Sequence, residues 1–362
     1  MNIGDLAIRE VRARPVVAPL PRPIRTASGD VLDAPLLLID VVTDAGATGR
    51  AYAFGYTPLT LRSLAQFVRD ISPELVGKSA SPRARMRQLE KRLKLVGWQG
   101  LAGMAVGALD MALWDALART MNVPLATLLG GEARPLSAYD SFGVLDRHTD
   151  LPWLEASVAS GFKAIKIKLG AGDVESDVAT VADVRRTIGD GVRLMLDFNQ
   201  SQNTASAVER IRRLQDFDLT WVEEPVAAED LVGHRAVRER VRPVPIQTGE
   251  NWWFPHGMAN AIAASASDLA MVDIMKIGGV TGWMSAMAQA EVAALPLSNH
   301  TFIEPSAHVM AVSPTASWFE YLDIAGAVLT ERLPPVDGVV TARGPGLGLD
   351  WDERAVSRFA FS

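Results

Sequence analysis

The sequence predicts an α/β protein in which an α+β region (residues 1–131) precedes a barrel of about eight parallel strands (residues 132–335) and a loop-rich tail (residues 336–362). Two observations predict it. After Pro135, short apolar runs alternate with helix-compatible segments over short connections, which implies parallel strands, and about eight such runs imply a closed barrel. Within that stretch Asp197, Glu223 and Glu250 each close one run, at intervals of 26 and 27 residues. Such a repeat is close to one strand plus one helix, so the three side chains are expected to converge at one end of the barrel.

The elements follow in order. Ala34 to Val42 reads as a strand, Asp44-Ala-Gly-Ala-Thr-Gly49 as a turn, and Arg50 to Phe54 as an antiparallel partner. Leu61 to Ile71, Pro82 to Leu95 and Leu101 to Met121 carry apolar residues at three- and four-residue steps and read as helices. The barrel strands are expected at 136–142, 162–169, 192–198, 219–222, 244–248, 269–276, 296–299 and 317–321. The tail, with Gly344-Pro-Gly-Leu-Gly348 and Trp351, is expected to return to the first region.

Composition narrows the function. Among 362 residues there are 36 Lys plus Arg against 42 Asp plus Glu, with the basic residues dispersed, so nucleic acid is not an expected partner. The absence of cysteine excludes disulfides, thiolate metal sites and a cysteine nucleophile. The charged N-terminus lacks a signal-type apolar block and no uninterrupted apolar stretch reaches spanning length. The expectation is a cytoplasmic enzyme with no membrane partner.

Three converging carboxylates call for a hard cation, and Mg²⁺ suits oxygen ligands while keeping positions for water or substrate. Any one of these acids alone would read as a solvated strand end. Lys166 and Lys168, in Lys166-Ile-Lys168, point to one side of a strand by period-two alternation. Two adjacent, partly desolvated ammonium groups are expected to lower each other's pKa, which would make one a base near neutral pH. His300 and Asp273 close neighbouring strands and could form an acid/base dyad, the carboxylate orienting the imidazole. Glu320, in Ser317-Trp-Phe-Glu-Tyr321, is expected to stay protonated through desolvation and to donate a hydrogen bond. His148, His234 and His256 look like loop or surface residues. No Gly-X-Ser-X-Gly elbow supports a serine nucleophile. The glycines of Lys276-Ile-Gly-Gly-Val-Thr-Gly282 match neither phosphate-binding spacing and read as a strand-to-helix turn.

Taken in order, Lys166-Ile-Lys168, Asp197-Phe-Asn199, Glu223-Glu-Pro, Gly249-Glu-Asn-Trp252, Asp273-Ile-Met-Lys-Ile-Gly-Gly-Val-Thr-Gly-Trp283, His300 and Glu320 resemble the mandelate racemase subgroup of the enolase superfamily. Thr26-Ala-Ser-Gly29 and Phe54-Gly-Tyr-Thr-Pro58 look like its substrate-capping loops. The resemblance implies a modified TIM barrel, (β/α)7β, with an N-terminal α+β capping domain. It implies Mg²⁺ on Asp197, Glu223 and Glu250 and removal of the proton α to a carboxylate. A Lys or His base with a metal-stabilised enediolate intermediate is the general logic of that superfamily. Lys168 would serve one face of the substrate carbon and the His300/Asp273 dyad the other. Glu320 and Lys166 would contact the substrate carboxylate, Lys166 also tuning Lys168, and Asn199 would contact the α-hydroxyl.

The activity so implied is racemisation of a 2-hydroxy acid, mandelate or a related aryl acid, with an acid-sugar dehydratase as the alternative. Ile24, Val31, Leu32, Phe54, Tyr56 and Leu322 suggest an apolar wall, with Ser141 beside it. Ser28, Arg25, Asp30 and Phe142 depart from the racemase pattern and put mandelate itself in question. Subgroup resemblance also implies a homo-oligomer, with an octamer as the form it suggests.

Overall fold

The computed structural model describes residues 6–26 and 29–361. Three long strands, β1 (Ile8–Thr26), β2 (Gly29–Thr43) and β3 (Thr48–Phe54), form an antiparallel sheet in that order. Helices α1 (Leu61–Leu75), α2 (Pro82–Leu93), α3 (Leu101–Thr120) and the short α4 (Leu125–Leu128) come next. Helix α3 is apolar nearly all round because it is buried between this sheet and a barrel helix. Among the described residues it is the one helix long and apolar enough to cross a membrane, and 83% of its most apolar window is buried in the protein core.

The barrel strands are β4 (Leu136–Val144), β5 (Ala164–Lys168), β6 (Arg193–Asp197), β7 (Leu219–Glu223), β8 (Ile246–Thr248), β9 (Leu269–Asp273), β10 (Leu297–His300) and β11 (Phe319–Tyr321). Helices α5 (Leu151–Ala159), α6 (Val174–Ile188), α7 (Thr204–Leu214), α8 (Leu231–Arg240), α9 (Phe254–Ala263), α10 (Gly279–Val292) and α11 (Ile303–Ala311) lie between them. All eight strands are parallel and run in sequence order from β4 to β10, with β11 paired to β4, the (β/α)7β arrangement. Local signals start the helices: Asp173, Asn203 and Asp230 accept a backbone N–H in the first turn of α6, α7 and α8.

Between β10 and β11 the seam is thin. A single bridge, Leu297 with Ala316, and backbone bonds from Leu297 to Thr315 and Ser317 join them. The tail adds β12 (Val339–Val340), antiparallel to β4, and α12 (Glu353–Arg358), after which Phe359 and Phe361 bond the backbone of β1.

One element lies outside the sequence reading and two readings change. Strand β1, 19 residues that the sequence analysis leaves unassigned, carries Pro15, Pro19, Pro21 and Pro23, tolerated because it is the edge of its sheet. Strand β9 ends at Asp273 rather than Lys276, since Asp273 Oδ1 accepts the Lys276 N–H at 2.9 Å and starts a turn. His234 is buried in α8, its Nδ1 3.0 Å from the Asp230 carbonyl, and is not a surface residue.

Candidate active site

Parallel pairing carries the carboxylates to one level. Asp197 pairs in register with Lys168 on one side and Glu223 on the other, and Glu250 lies two residues beyond β8. One oxygen from each of Asp197, Glu223 and Glu250 lies within 4.8 Å of the others. Glu223 Oε1 and Glu250 Oε2 are buried without a hydrogen-bond partner. Buried carboxylate oxygens left unpaired are costly, and a hard divalent cation is the partner that oxygen donors in this number accept best. The residues therefore fit Mg²⁺.

Both lysines of β5 face this cluster. Lys166 Nζ stands 2.8 Å from Glu223 Oε2 and 2.8 Å from Glu320 Oε1, and Lys168 Nζ donates to Asp197 Oδ2. The expected mutual lowering of pKa is present at Lys168 but outweighed. Burial and the neighbouring ammonium both push Lys168 down, but Asp197, Glu250 and Glu223 outweigh them and hold it above the usual lysine range. For Lys166 burial is likewise overcome, by Glu223 and Glu320, and it lies well above that range. These carboxylates arrive from other strands, so the two-lysine motif alone misjudges the sign.

Across the mouth, His300 Nδ1 is 2.8 Å from Asp273 Oδ2, and Nε2 is 3.4 Å from Glu250 Oε2. Burial lowers the His300 pKa, yet Glu250 and the Asp273 hydrogen bond raise it above the ordinary value. Glu320 corrects a second expectation. Burial pushes its carboxyl up, but Lys166, His300 and the Thr301 N–H hold it below the usual carboxylate range, so it is ionised here rather than protonated. Asn199, with φ of 42°, donates from Nδ2 to Asp197 Oδ2 at 3.1 Å and leaves Oδ1 buried and unpaired. Ser141 pairs in register with Lys166.

The apolar wall divides. Phe54 and Tyr56 pack ring to ring at 4.6 Å, and the Tyr56 hydroxyl is buried without a partner. Ile24 pairs with Val31 across β1 and β2. Ile24 and Leu322 line a cavity of about 480 Å³ between β1, α5 and β11, whose lining includes none of the carboxylates or bases just described. Leu32 is exposed. Ser28 lies outside the described residues. Two cations near the first loop have partners, Arg25 with Asp150 and Arg22 with Asp140, the Arg22 guanidinium sitting 3.8 Å over the Phe142 ring, while Asp30 is exposed. Phe142 is buried in the apolar cluster that also holds Ile165 and Leu196.

Several groups at the site carry no signal in the sequence. Lys276 Nζ donates to Asn251 Oδ1 at 2.7 Å, and Asn251 Nδ2 donates to Glu224 Oε2 at 2.9 Å, a chain that reaches Glu250. Lys276 also lies 4.8 Å from the Tyr56 ring centroid. Asn299, wholly buried, bonds Glu320 and Thr301. Lys276 and Asn251 stand in the sequence only within longer segments of the family resemblance, with no role assigned to them, and nothing local marks Asn299.

Residues 153–355 match the family model described as enolase C-terminal domain-like, and residues 8–130 match the mandelate racemase/muconate lactonizing enzyme N-terminal domain. This chain belongs to the enolase superfamily. Its fold is shared with a Bradyrhizobium enolase crystallised with magnesium and mandelic acid, at 52% identity and a TM-score of 0.96 over 99% of each chain. An L-talarate dehydratase from Polaromonas sp. JS666, crystallised with Mg and L-glucarate, is 29% identical with a TM-score of 0.90, over 99% of this chain and 98% of that one. A 3,6-anhydro-alpha-L-galactonate cycloisomerase from Streptomyces coelicolor is 31% identical over 98% of this chain and 99% of its own length. The enolase-superfamily chain is thus an enzyme whose relatives span more than one reaction type.

Proposed function

We propose that the protein is an Mg²⁺-dependent racemase of a 2-hydroxy acid bearing an aryl or comparably apolar group. The observation that carries the reading is the placement of a base on either side of the carboxylates: Lys168 on β5 and His300 on β10 flank the strands that bring Asp197, Glu223 and Glu250. Inversion by proton removal and return needs a proton acceptor on each face of the carbon.

Asp197, Glu223 and Glu250 would hold the Mg²⁺. Bound there, the ion supplies the concentrated positive charge that makes the proton α to a carboxylate acidic enough to remove. With the charge of Asp197, Glu223 and Glu250 taken up by a bound divalent ion, these carboxylates would no longer hold the Lys168 proton, and Nζ takes or returns the α-proton on one face. His300 Nε2 does so on the other, with Nδ1 directed to Asp273 so that Nε2 faces the mouth. Lys166 meets the substrate carboxylate through its ammonium, which Glu320, paired with it at 2.8 Å, holds in place. Asn199, with a free Oδ1 at the same level, accepts from the α-hydroxyl. Phe54, Tyr56 and Ser141 bound the side-chain end.

Dehydration of an acid sugar is the second reading, favoured by the likeness to the L-talarate dehydratase. Against it, Arg22 and Arg25 are taken up by Asp140 and Asp150, which leaves neither of these two cations free for a polyol. Incubation with Mg²⁺ in D₂O and both enantiomers of mandelate, ring-hydroxylated mandelates and acid sugars separates the readings. Loss of the α-proton signal with falling optical rotation is expected from an aryl 2-hydroxy acid. A 2-keto-3-deoxy product from an acid sugar, with mandelates inert, would overturn it.

A further inference from the structure

His300 and Glu320 stand on the two strands with the weakest connection in the barrel. Among the described residues no strand ladder joins β10 to β11; their backbone contact is confined to Leu297 with residues 315–317, three residues below His300. At the level of the site the join is made by a side chain. Asn299 Oδ1 accepts the Glu320 N–H at 2.9 Å, and Asn299 Nδ2 donates to the Glu320 carbonyl at 3.3 Å and to the Thr301 carbonyl at 3.0 Å. The primary amide thereby bonds both backbone groups of one residue, as a residue of an antiparallel hydrogen-bonded pair would, where β10 and β11 share no ladder. A reciprocal bond completes it, from the Thr301 N–H to Glu320 Oε2 at 2.7 Å.

The turn after β10 makes this join consequential. Thr301 and Phe302 have φ of 47° and 50°, two consecutive left-handed residues without a glycine. Such a residue is strained and persists only where its surroundings over-determine it. The surroundings here are specific. The Thr301 carbonyl receives both Asn299 Nδ2 and Ser306 Oγ, and the Phe302 ring stacks on Tyr52 of β3 at 5.1 Å and 18°. His300 is the residue immediately before this turn.

We propose that Asn299 is a positioning residue, a side-chain staple across the barrel seam that fixes Glu320 and the 301–302 turn and so sets the spacing between His300 and Glu320. It does not touch the substrate. Its effect on rate rests on the proposed racemase reading, whereas the staple itself does not. Loss of the staple leaves the carboxylates on β6, β7 and β8 in place while the opposite wall of the mouth relaxes. A misplacement of about 1 Å among reacting groups costs up to about a hundredfold in rate.

Asn299→Leu removes every hydrogen bond at nearly constant volume, and Asn299→Asp keeps the acceptor for the Glu320 N–H. Amide hydrogen exchange on the folded proteins, read at peptides spanning residues 298–303 and 318–322, tests the staple without reference to activity. The expected result is loss of protection at Thr301 and Glu320 in Asn299→Leu, smaller loss in Asn299→Asp, and unchanged protection in β6 and β7. With an active substrate in hand, kcat of Asn299→Leu is expected to fall at least about tenfold per folded protein, with KM within about twofold, and Asn299→Asp to lie between. Unchanged protection at both amides, or uniform loss across all barrel strands, would overturn the proposal. Full kcat in Asn299→Leu despite local deprotection would overturn its positioning role. If no tested acid reacts even with the unaltered protein, the racemase reading fails and the exchange data still decide the staple.

Discussion

His300 and Lys168 reach the site from strands on opposite sides of the three carboxylates, so their substitution should not be equivalent. His300→Asn keeps a polar group of similar reach but removes the acid/base. Racemisation is expected to fall by about a hundredfold or more. The enantiomer whose α-hydrogen faces Lys168 should still exchange it in D₂O without inversion, because an ammonium with three hydrogens can return a different one to the same face. Proton NMR on each enantiomer separately reads this; equal loss from both would sink the two-face assignment. At this scale the sequence carries much of the arrangement. Period-two alternation and the near-constant repeat bring Lys166, Lys168, Asp197, Glu223 and Glu250 together without any contact being known. The charge states are not legible there. Lys166 and Glu320 are 2.8 Å apart although 154 positions separate them, and that ion pair, not the aromatic neighbours of Glu320, decides which way its carboxyl shifts.

The elements are legible where periodicity is strong and illegible where a residue type argues against the structure it occupies. The barrel strands and α1 to α3 follow the apolar pattern, whereas β1 carries four prolines and survives because it is an edge strand whose prolines cost few ladder bonds. Helix α3 also contains glycines that its sequence does not explain. At Gly107 an added Cβ would stand 2.1 Å from the carbonyl oxygen of Met275, in the turn between β9 and α10 that begins at Asp273. The helix backbone therefore lies directly on the segment carrying one half of the dyad. Gly107→Ala is expected to destabilise by about 1–3 kcal/mol, since backbone cannot yield as a flexible side chain would. Gly191→Ala serves as the reference, because nothing lies within 4 Å of its added carbon. Urea unfolding midpoints compare the two, and a Gly107→Ala midpoint no lower than that of Gly191→Ala would refute the close approach.

For the molecule as a whole, the join between the antiparallel sheet with its helices and the barrel contains buried acids. Asp110 on α3 accepts the N–H and the hydroxyl of Thr281 at the start of α10, and Glu304 on α11 accepts the hydroxyl of Tyr52 on β3 at 2.9 Å. Burial raises Asp110 to about 7 against the opposing bonds from Thr281 and Val280, and burial with the nearby Asp323 raises Glu304 to about 7. An acid raised on folding binds a proton in the native state that the unfolded chain has already released. Its stabilising contribution is complete below the ordinary carboxylate pKa and is lost as pH rises through the folded value, here between about pH 4 and 7. His308, lowered by burial to about 4, works the other way: its contribution is present above its ordinary pKa and is lost as pH falls toward 4. Asp110→Asn isolates one of these effects, because the amide can accept from the Thr281 N–H and donate to its hydroxyl while carrying no charge at any pH. The stability difference between the variant and the unaltered protein should be smallest below about pH 4 and should widen steadily from pH 5 to pH 7. At pH 8 the variant should be more stable by a few kcal/mol, since a carboxyl whose folded and unfolded pKa values differ by one contributes about 1.4 kcal/mol. A difference that stays constant from pH 5 to pH 8 would mean that Asp110 is already ionised in the fold, and that its bonds to α10 hold a charge rather than a proton.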